Sequence, residues 1–316
     1  MRSPGAIDPE IYAIVSMFPN INFADAPGTR ALFAAMLQAA VATGGSASDP
    51  GVIQAERKIP GPAGAPDLPI RIYTPKSPRR DGPAYLNLHG GAFILGDLDT
   101  EHARCVKIAQ DGNAVVVTVD YRLAPEHPFP AGVEDCYAAL EWLARESNAL
   151  GIDPDKIVVG GSSAGGALTA AVSQMARDRK GPAIALQMLF YPVIDDRGMT
   201  ESMRAGEATL GWNSKNVRDM WIHYIGHGRG DTSPYAAPGR AKDLANLPPA
   251  YVVTCEHDPL RDEGLDYAVR LLQAGVSVEL HNYAGTVHGF DLLIPSAAVS
   301  QRAFDDFVAA FQRATR

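Results

Sequence analysis

The sequence has no excess of basic residues. Its 316 residues include 28 lysines and arginines against 36 aspartates and glutamates, so the formal net charge is −8. Proteins that grip the phosphates of a nucleic acid need a basic face, and this balance argues against a nucleic-acid partner. The chain also lacks an uncharged apolar run of roughly 20 residues, so we expect no membrane span.

Cysteine is scarce, and the usual cofactor motifs are missing. Three widely spaced cysteines without a CxxC pair are typical of buried, reduced thiols: Cys105, Cys136 and Cys255. No histidine pair has HExxH spacing, and neither GxGxxG nor GxxxxGK[ST] occurs. The first residues carry Asp8 and Glu10 and no continuous apolar segment, which disfavours a signal peptide. We therefore expect a cytoplasmic protein without a metal or an organic cofactor.

What the chain does contain is a regular alternation of strand-like and helix-like segments. The strand candidates are residues 70–73, 84–88, 114–119, 157–159, 185–190, 250–254 and 277–283. The helix candidates between them are residues 101–111, 131–146, 164–179, 261–274 and 297–312. This order predicts an α/β fold with a mostly parallel, doubly wound sheet. In such sheets the reactive groups lie in loops at the carboxyl ends of the strands.

Two segments interrupt the alternation. Residues 1–45 precede the first strand candidate and contain a predicted helix at 29–42, and residues 196–230 are rich in methionine and aromatic residues. The second segment is too apolar for a solvated loop. Its helices either extend the core or form a lid over an apolar pocket, and both interpretations can hold together. A proline-dense stretch, residues 120–131, predicts a rigid connection with cis X-Pro bonds.

The segment Gly161-Ser162-Ser163-Ala164-Gly165 lies between a strand candidate and a helix candidate. A serine hydroxyl becomes a useful nucleophile when a tight strand-to-helix turn holds it beside a base. The small flanking residues suit such a crowded turn, and the helix amino terminus favours negative charge. Ser162 competes for the role, but the GxSxG spacing selects Ser163.

A second glycine motif, HGGAF at residues 89–93, also directly follows a strand candidate. Paired glycines allow main-chain N–H groups to face a ligand that a side chain would block. Donors of this kind stabilise the oxyanion that forms during acyl transfer. The two motifs together predict a nucleophile and its oxyanion hole.

The acid and the base are expected further along the chain, in the order serine, acid, histidine. Asp258 follows a strand candidate, and it is preferred over Glu256, which is close to the strand end, and Asp262, which has entered the next helix. His288 lies in a loop beside Gly289, whereas its rival His281 lies within a strand. We therefore predict that His288 moves the serine proton and that Asp258 fixes its tautomer.

Together these segments resemble the hormone-sensitive-lipase-like branch of the α/β-hydrolases, which includes bacterial family IV carboxylesterases. The similarity covers roughly residues 50–316: HGGAF at 89–93, DYRLAPEHPFPA at 120–131, GSSAGG at 161–166, EHDPLRDEG at 256–264 and HGF at 288–290. It implies an eight-stranded sheet with an α-helical cap, formed here by about residues 1–45 and 196–230 of a single domain. It also implies the triad Ser163, Asp258 and His288 and the oxyanion donors Gly90, Gly91 and Ala164.

The sequence departs from the family pattern at two positions. Ala92 stands where the third glycine of the oxyanion segment is usual, and only a change in pocket shape is expected from it. Ser162 stands where an aspartate often precedes the nucleophile. Loss of that negative charge near His288 is expected to shift the acidic limb of the rate–pH profile downward.

These residues predict a serine carboxylesterase that hydrolyses short- to medium-chain acyl esters through an acyl-enzyme. Phe93, Tyr191 and Trp212 are candidates for the pocket lining. The same triad also serves an amidase, a lactonase or a metabolite deacetylase, and a non-catalytic receptor is a rival of a different class, which the presence of His288 disfavours. The expected partner is a small acyl ester, and the resemblance also allows a homodimer.

Overall fold

The computed structural model describes residues 6–19, 21–42, 51–227 and 230–316. Its sheet has eight strands: β1 (Val52–Ile59), β2 (Leu68–Pro75), β3 (Gly82–Leu88), β4 (Val115–Val119), β5 (Ile152–Ser162), β6 (Leu186–Phe190), β7 (Ala250–His257) and β8 (Val278–Val287). Their order across the sheet is β1-β2-β4-β3-β5-β6-β7-β8. Strand β2 runs antiparallel to both of its neighbours, and all other neighbouring pairs from β4 to β8 are parallel. The prediction of a mostly parallel sheet is confirmed.

Helices connect the strands. They are α1 (Pro9–Val15), α2 (Ala26–Ala42), α3 (His102–Asp111), α4 (Ala131–Arg145), α5 (Ser147–Leu150), α6 (Ala164–Arg179), α7 (Glu201–Ala205), α8 (Ser214–Ile225), α9 (Arg261–Gln273), α10 (Phe290–Leu293) and α11 (Ala298–Ala314). Two short 3₁₀ helices span Gly206–Ala208 and Pro238–Arg240. All five predicted connecting helices are present. Strand β1 and helix α1 were not among the sequence predictions.

Both faces of the sheet are buried. Alternate residues of β4 face opposite sides, so that Val117 packs with α4 and α6 while Val116 packs with α3 and α11. This explains the near-continuous apolar runs that predicted the central strands. The three cysteines are free and buried, as expected. No helix within the described ranges is both long and apolar enough to cross a bilayer.

The two segments that interrupt the alternation contact each other above the sheet. The Phe23 ring, between α1 and α2, packs edge-on against Trp212, with 4.8 Å between ring centroids. The side chain of His223, on α8, is hydrogen-bonded through Nε2 to the Phe23 carbonyl oxygen at 2.9 Å. Residues 1–5, 20, 43–45 and 228–229 of the two predicted cap segments lie outside the described residues.

The proline-dense connection after β4 joins these parts. The Ala124-Pro125 and Phe129-Pro130 bonds are both cis, as the sequence predicted. The Phe129 N–H donates to the Tyr224 carbonyl oxygen on α8 at 2.9 Å. Residues 120–131 therefore connect the sheet to the second interrupting segment.

Candidate active site

Ser163 lies at the sharp turn between β5 and α6. Its backbone angles are φ 58° and ψ −116°. Residues with a side chain rarely adopt this conformation outside a strained turn. The Ser163 N–H donates to the Phe190 carbonyl oxygen at 2.9 Å, and its carbonyl oxygen accepts from the Val193 N–H at 3.1 Å. The turn is therefore fixed from both sides against the end of β6.

The glycines on either side of Ser163 are required by close backbone contacts. A Cβ atom on Gly161 would lie 2.2 Å from the Leu88 carbonyl oxygen, and one on Gly165 would lie 1.8 Å from it. Real Cβ atoms do not approach an oxygen this closely. The GxSxG spacing thus lets the turn pack directly against the end of β3.

The structure brings Ser163, His288 and Asp258 together. His288 Nε2 lies 2.9 Å from Ser163 Oγ, and His288 Nδ1 lies 2.7 Å from Asp258 Oδ2. When Nδ1 carries the proton and donates to Asp258, Nε2 is free to accept the serine proton. The chain order and the loop positions expected from the sequence agree with this geometry.

The rival residues are engaged elsewhere. Ser162 Oγ is hydrogen-bonded to Glu101 and Arg104. His281 lies in β8 and pairs with Glu279. Glu256 accepts from the Gly285 N–H at 2.7 Å, and the Asp262 carboxylate accepts from the Ser202 N–H at 2.7 Å. Neither of the rival carboxylates is the partner of His288.

The oxyanion segment turns sharply after β3. Gly91 has φ +124°, and an added Cβ there would lie 2.0 Å from the Leu95 carbonyl oxygen, so only glycine fits. Ala92 has φ 56°, in the left-handed region where a Cβ costs roughly 1 kcal/mol or more. The Ala92 methyl group therefore adds a backbone cost, which the sequence did not predict. The expected change in pocket shape stays a prediction.

The three predicted oxyanion donors differ in their hydrogen bonds. The Gly90 N–H donates to Glu101 Oε1 at 3.1 Å and is therefore already engaged. The N–H groups of Gly91 and Ala164 have no hydrogen-bond partner among the residues that the structure describes. Ala164 is the first residue of α6, where the main-chain N–H groups have no acceptor within the helix.

Two of the three candidates for pocket lining contact the imidazole of His288, and the third packs against α8. Trp212 stacks on the His288 imidazole with 5.4 Å between ring centroids. Tyr191 meets the same imidazole edge-on at 4.9 Å. Phe93 lies under α8, stacked on Tyr224 at 3.8 Å. Ser163 is 8% exposed, so little of it is open to solvent.

A buried charged cluster behind the serine was not found by sequence reasoning. It contains Glu101 and Arg104 at the start of α3 and Asp291 on α10, with Tyr191 between them. In the sequence, Glu101 and Arg104 look like an ordinary charge pair on a helix surface. The sequence contained one signal for this cluster. Ser162 replaces the aspartate that often precedes the nucleophile, and this indicates that another carboxylate can lie nearby.

That cluster occupies the place where the family pattern has an aspartate. The Ser162 hydroxyl is hydrogen-bonded to the Glu101 carboxylate, and the Arg104 guanidinium lies beside both groups. The expected shift of the rate–pH profile stays a prediction. Within the described ranges, no group of three or more potential ligands is placed to hold a metal ion.

Comparison with known proteins identifies the family of this chain. Residues 85–292 match a family described as alpha/beta hydrolase fold. The carboxylesterase NlhH of Mycobacterium tuberculosis is 39% identical over 305 residues, which cover 92% of each chain. The solved structure of a bacterial heroin esterase is 44% identical, with a TM-score of 0.94 and 98% of each chain covered. The structure of esterase LipW from Mycobacterium marinum is 38% identical, with a TM-score of 0.89, covering 98% of this chain and 96% of that one.

Residues 85–292, which match the family, include the oxyanion segment, the serine, the acid and the histidine. The similarity to NlhH extends over most of the chain. From these findings, the chain belongs to the alpha/beta hydrolase fold family, in its hormone-sensitive-lipase-like branch.

Proposed function

We propose that this chain is a serine carboxylesterase that acts through an acyl-enzyme, with Ser163 as nucleophile. The observation that carries the proposal is the pair of contacts through His288, 2.9 Å to Ser163 Oγ and 2.7 Å to Asp258 Oδ2. The relatives named as carboxylesterases and esterases support the reaction class. The enzyme is a carboxylic ester hydrolase.

In the first half of the reaction, Ser163 Oγ attacks the ester carbonyl carbon while His288 Nε2 takes the hydroxyl proton. The carbonyl oxygen becomes an oxyanion, which the N–H groups of Gly91 and Ala164 stabilise. The intermediate collapses, the bond to the alkoxy group breaks, and His288 returns the proton to the leaving alcohol. Asp258 stabilises the imidazolium that exists between these two transfers.

In the second half, His288 takes a proton from water, and the resulting hydroxide attacks the acyl-enzyme carbonyl. The second tetrahedral intermediate uses the same donors. It collapses to release the acid, and Ser163 Oγ receives its proton back from His288. His288 takes one proton and returns one proton in each half of the reaction, so Ser163 is regenerated at the end.

We further propose a preference for short- to medium-chain acyl groups. The aromatic rings of Phe23 and Trp212, one from each interrupting segment, stand in edge contact above the site, and Trp212 covers His288. We interpret these two segments, about residues 1–45 and 196–230, as an α-helical cap. A cap packed this closely limits the length of an acyl chain that can lie beside Ser163.

Turnover of p-nitrophenyl esters by wild type and by Ser163→Ala tests the proposal. We expect wild type to hydrolyse the butyrate ester and the variant to lose activity by about 10³-fold or more, because the nucleophile is gone. Across a series from acetate to palmitate, kcat/KM should fall at the long chains. Undiminished hydrolysis by Ser163→Ala, or a wild type without activity on any ester, would contradict the proposal.

A further inference from the structure

Glu101 lies between the two loops that supply the proposed oxyanion donors. Its Oε1 accepts from the Gly90 N–H at 3.1 Å and is also hydrogen-bonded to the Ser162 hydroxyl. The residue is 3% exposed, so water does not compete for these bonds. One carboxylate oxygen therefore holds the oxyanion segment and the strand that leads into the nucleophile turn.

Each of these two contacts is made close to a proposed oxyanion donor. Gly90 directly precedes Gly91, and Ser162 stands two residues before Ala164. The two loops also touch at this point, since a Cβ on Gly90 would lie 3.0 Å from the Ser162 carbonyl oxygen. Because the proposed donors belong to different loops, the distance between their N–H groups depends on how these loops are held together.

Arg104 compensates the buried carboxylate. It is 7% exposed, and its Nη1 lies 3.5 Å from Glu101 Oε2 and 3.3 Å from Ser162 Oγ. Burial alone would lower the pKa of Arg104, but Asp291, Tyr191 and Glu101 together raise it, so the guanidinium stays charged. A buried carboxylate without such a partner would be strongly destabilised.

The same guanidinium reaches the loop of the histidine. Arg104 pairs with Asp291, three residues after His288, and its Nη2 donates to the Tyr191 hydroxyl at 3.3 Å. The Tyr191 hydroxyl in turn donates to Asp291 Oδ1 at 2.8 Å. The cluster thus connects three separate parts of the site, and its Tyr191 ring also contacts the His288 imidazole.

We propose that Glu101 is a positioning residue for ester hydrolysis, whose carboxylate, held by Arg104, sets the spacing of the Gly91 and Ala164 oxyanion donors. Glu101 does not touch the substrate. It acts by holding Gly90, which directly precedes Gly91, and Ser162, which stands two residues before Ala164. The inference rests on the proposed function, because it concerns the oxyanion hole of that reaction.

The first experiment compares Glu101→Ala, Glu101→Gln and the control Glu134→Ala, which removes an exposed pair with Arg179. For each we measure kcat and KM on p-nitrophenyl butyrate and the inhibition constant of a trifluoromethyl ketone, which forms an oxyanion on the serine. Glu101→Ala should lower kcat by about 10- to 100-fold with little change in KM, because misplaced donors affect the transition state alone.

The ketone separates positioning from a general structural effect. Its inhibition constant should rise in Glu101→Ala by about the same factor as kcat/KM falls. Glu101→Gln keeps an oxygen that accepts from Gly90 and should recover most of the loss, while Glu134→Ala should behave as wild type. A Glu101→Ala enzyme with wild-type kcat, or one that loses kcat without weaker ketone binding, would overturn the proposal.

A charge-relocation experiment tests the same idea with full-size side chains, in case Glu101→Ala does not fold. Ser162→Asp alone brings a second carboxylate against Glu101 and should lower kcat about tenfold or more. Combining it with Glu101→Gln removes the repulsion and should restore at least half of that loss on a logarithmic scale. A double variant no better than Ser162→Asp would contradict the proposal.

These outcomes are distinguishable from failure of the proposed function. If hydrolysis by wild type does not depend on Ser163, the proposed function fails and takes the inference with it. If hydrolysis depends on Ser163 but both Glu101 variants match wild type, the proposed function stands and the role of Glu101 alone is rejected.

Discussion

Asp258 divides its two carboxylate oxygens between the backbone and the imidazole. Oδ1 accepts from the Leu260 N–H at 2.9 Å, and Oδ2 lies 2.7 Å from His288 Nδ1. The first contact fixes the carboxylate plane, so the second can fix the ring and its tautomer. At the scale of single residues, the proposed chemistry depends on this alignment.

Asp258→Asn tests that alignment. The amide keeps the shape of the side chain but can present an N–H to Nδ1, which favours the wrong tautomer of His288. We expect kcat to fall by about 10³–10⁴-fold with little loss of stability. The control is Glu256→Gln, the rival acid, which should retain kcat within about tenfold of wild type. A larger loss from Glu256→Gln than from Asp258→Asn would contradict the assignment.

Gly165 tests the packing of the nucleophile turn. A Cβ at this position would lie 1.8 Å from the Leu88 carbonyl oxygen, and a main-chain oxygen cannot move aside cheaply. Gly165→Ala should destabilise the fold by about 3 kcal/mol or more, measured by chemical denaturation. Gly230→Ala is the control, because its Cβ would meet no described atom within 4 Å. Equal stability of the two variants would refute the packing argument.

At the scale of elements, Arg30 attaches helix α2 to the connection after β4, through an ion pair with Glu126 and a hydrogen bond to the Ala124 carbonyl oxygen. Arg30 donates from Nη1 to Glu126 Oε1 at 2.8 Å and from Nη2 to Glu126 Oε2 at 2.7 Å. The Arg30 hydrogen bonds, together with a main-chain one, lower the pKa of Glu126 to about 2. The pair joins the first interrupting segment to the body of the protein.

The lowered pKa predicts a pH dependence for this attachment. A carboxyl with a folded-state pKa below its unfolded value stabilises the fold above the unfolded pKa, and the stabilisation disappears as pH falls through the folded one. The free energy of unfolding of Glu126→Gln should therefore lie below that of wild type by less than about 1 kcal/mol at pH 7, since the pair is partly exposed. This difference should be constant down to about pH 5 and shrink toward pH 2.

Denaturant titrations at a series of pH values measure that difference. Glu141→Gln serves as the control, because Glu141 is exposed and forms no ion pair with any described residue. It should show no pH-dependent difference from wild type. A difference for Glu126→Gln that grows as pH falls would contradict the assigned direction.

Some elements could be predicted from the sequence and others could not, for physical reasons. Strands β3 and β4 are buried throughout and carry near-continuous apolar runs, so they were recognised. Strand β1 lies at the sheet edge and buries only Val52 and Ile59, so its polar interior showed no strand pattern. Helix α1 is seven residues long, too short for a clear helical period.

At the scale of the whole molecule, the site is assembled from the ends of four parallel strands. Strand β3 leads to the oxyanion segment, β5 to Ser163, β7 to Asp258 and β8 to His288. Because parallel strands end at the same edge of a sheet, chain order and strand assignment sufficed to predict that these residues meet. The local motifs identified the residues, and the strand order of the sheet brings them together.

The Glu101 cluster could not be predicted in this way. Its members come from the start of α3, the end of β6 and α10, and no pattern in the sequence connects them. Their proximity follows from the side on which α3 packs against the sheet. Which side chains pair across separate elements depends on the whole fold, so these contacts are found only in the folded structure.

The most direct test of the account is a crystal structure of the enzyme after reaction with a p-nitrophenyl alkylphosphonate. We predict one adduct, with phosphorus bonded to Ser163 Oγ and a phosphonyl oxygen about 2.7–3.1 Å from the N–H nitrogens of Gly91 and Ala164. An adduct on any other residue, or a phosphonyl oxygen that faces away from these two N–H groups, would contradict it.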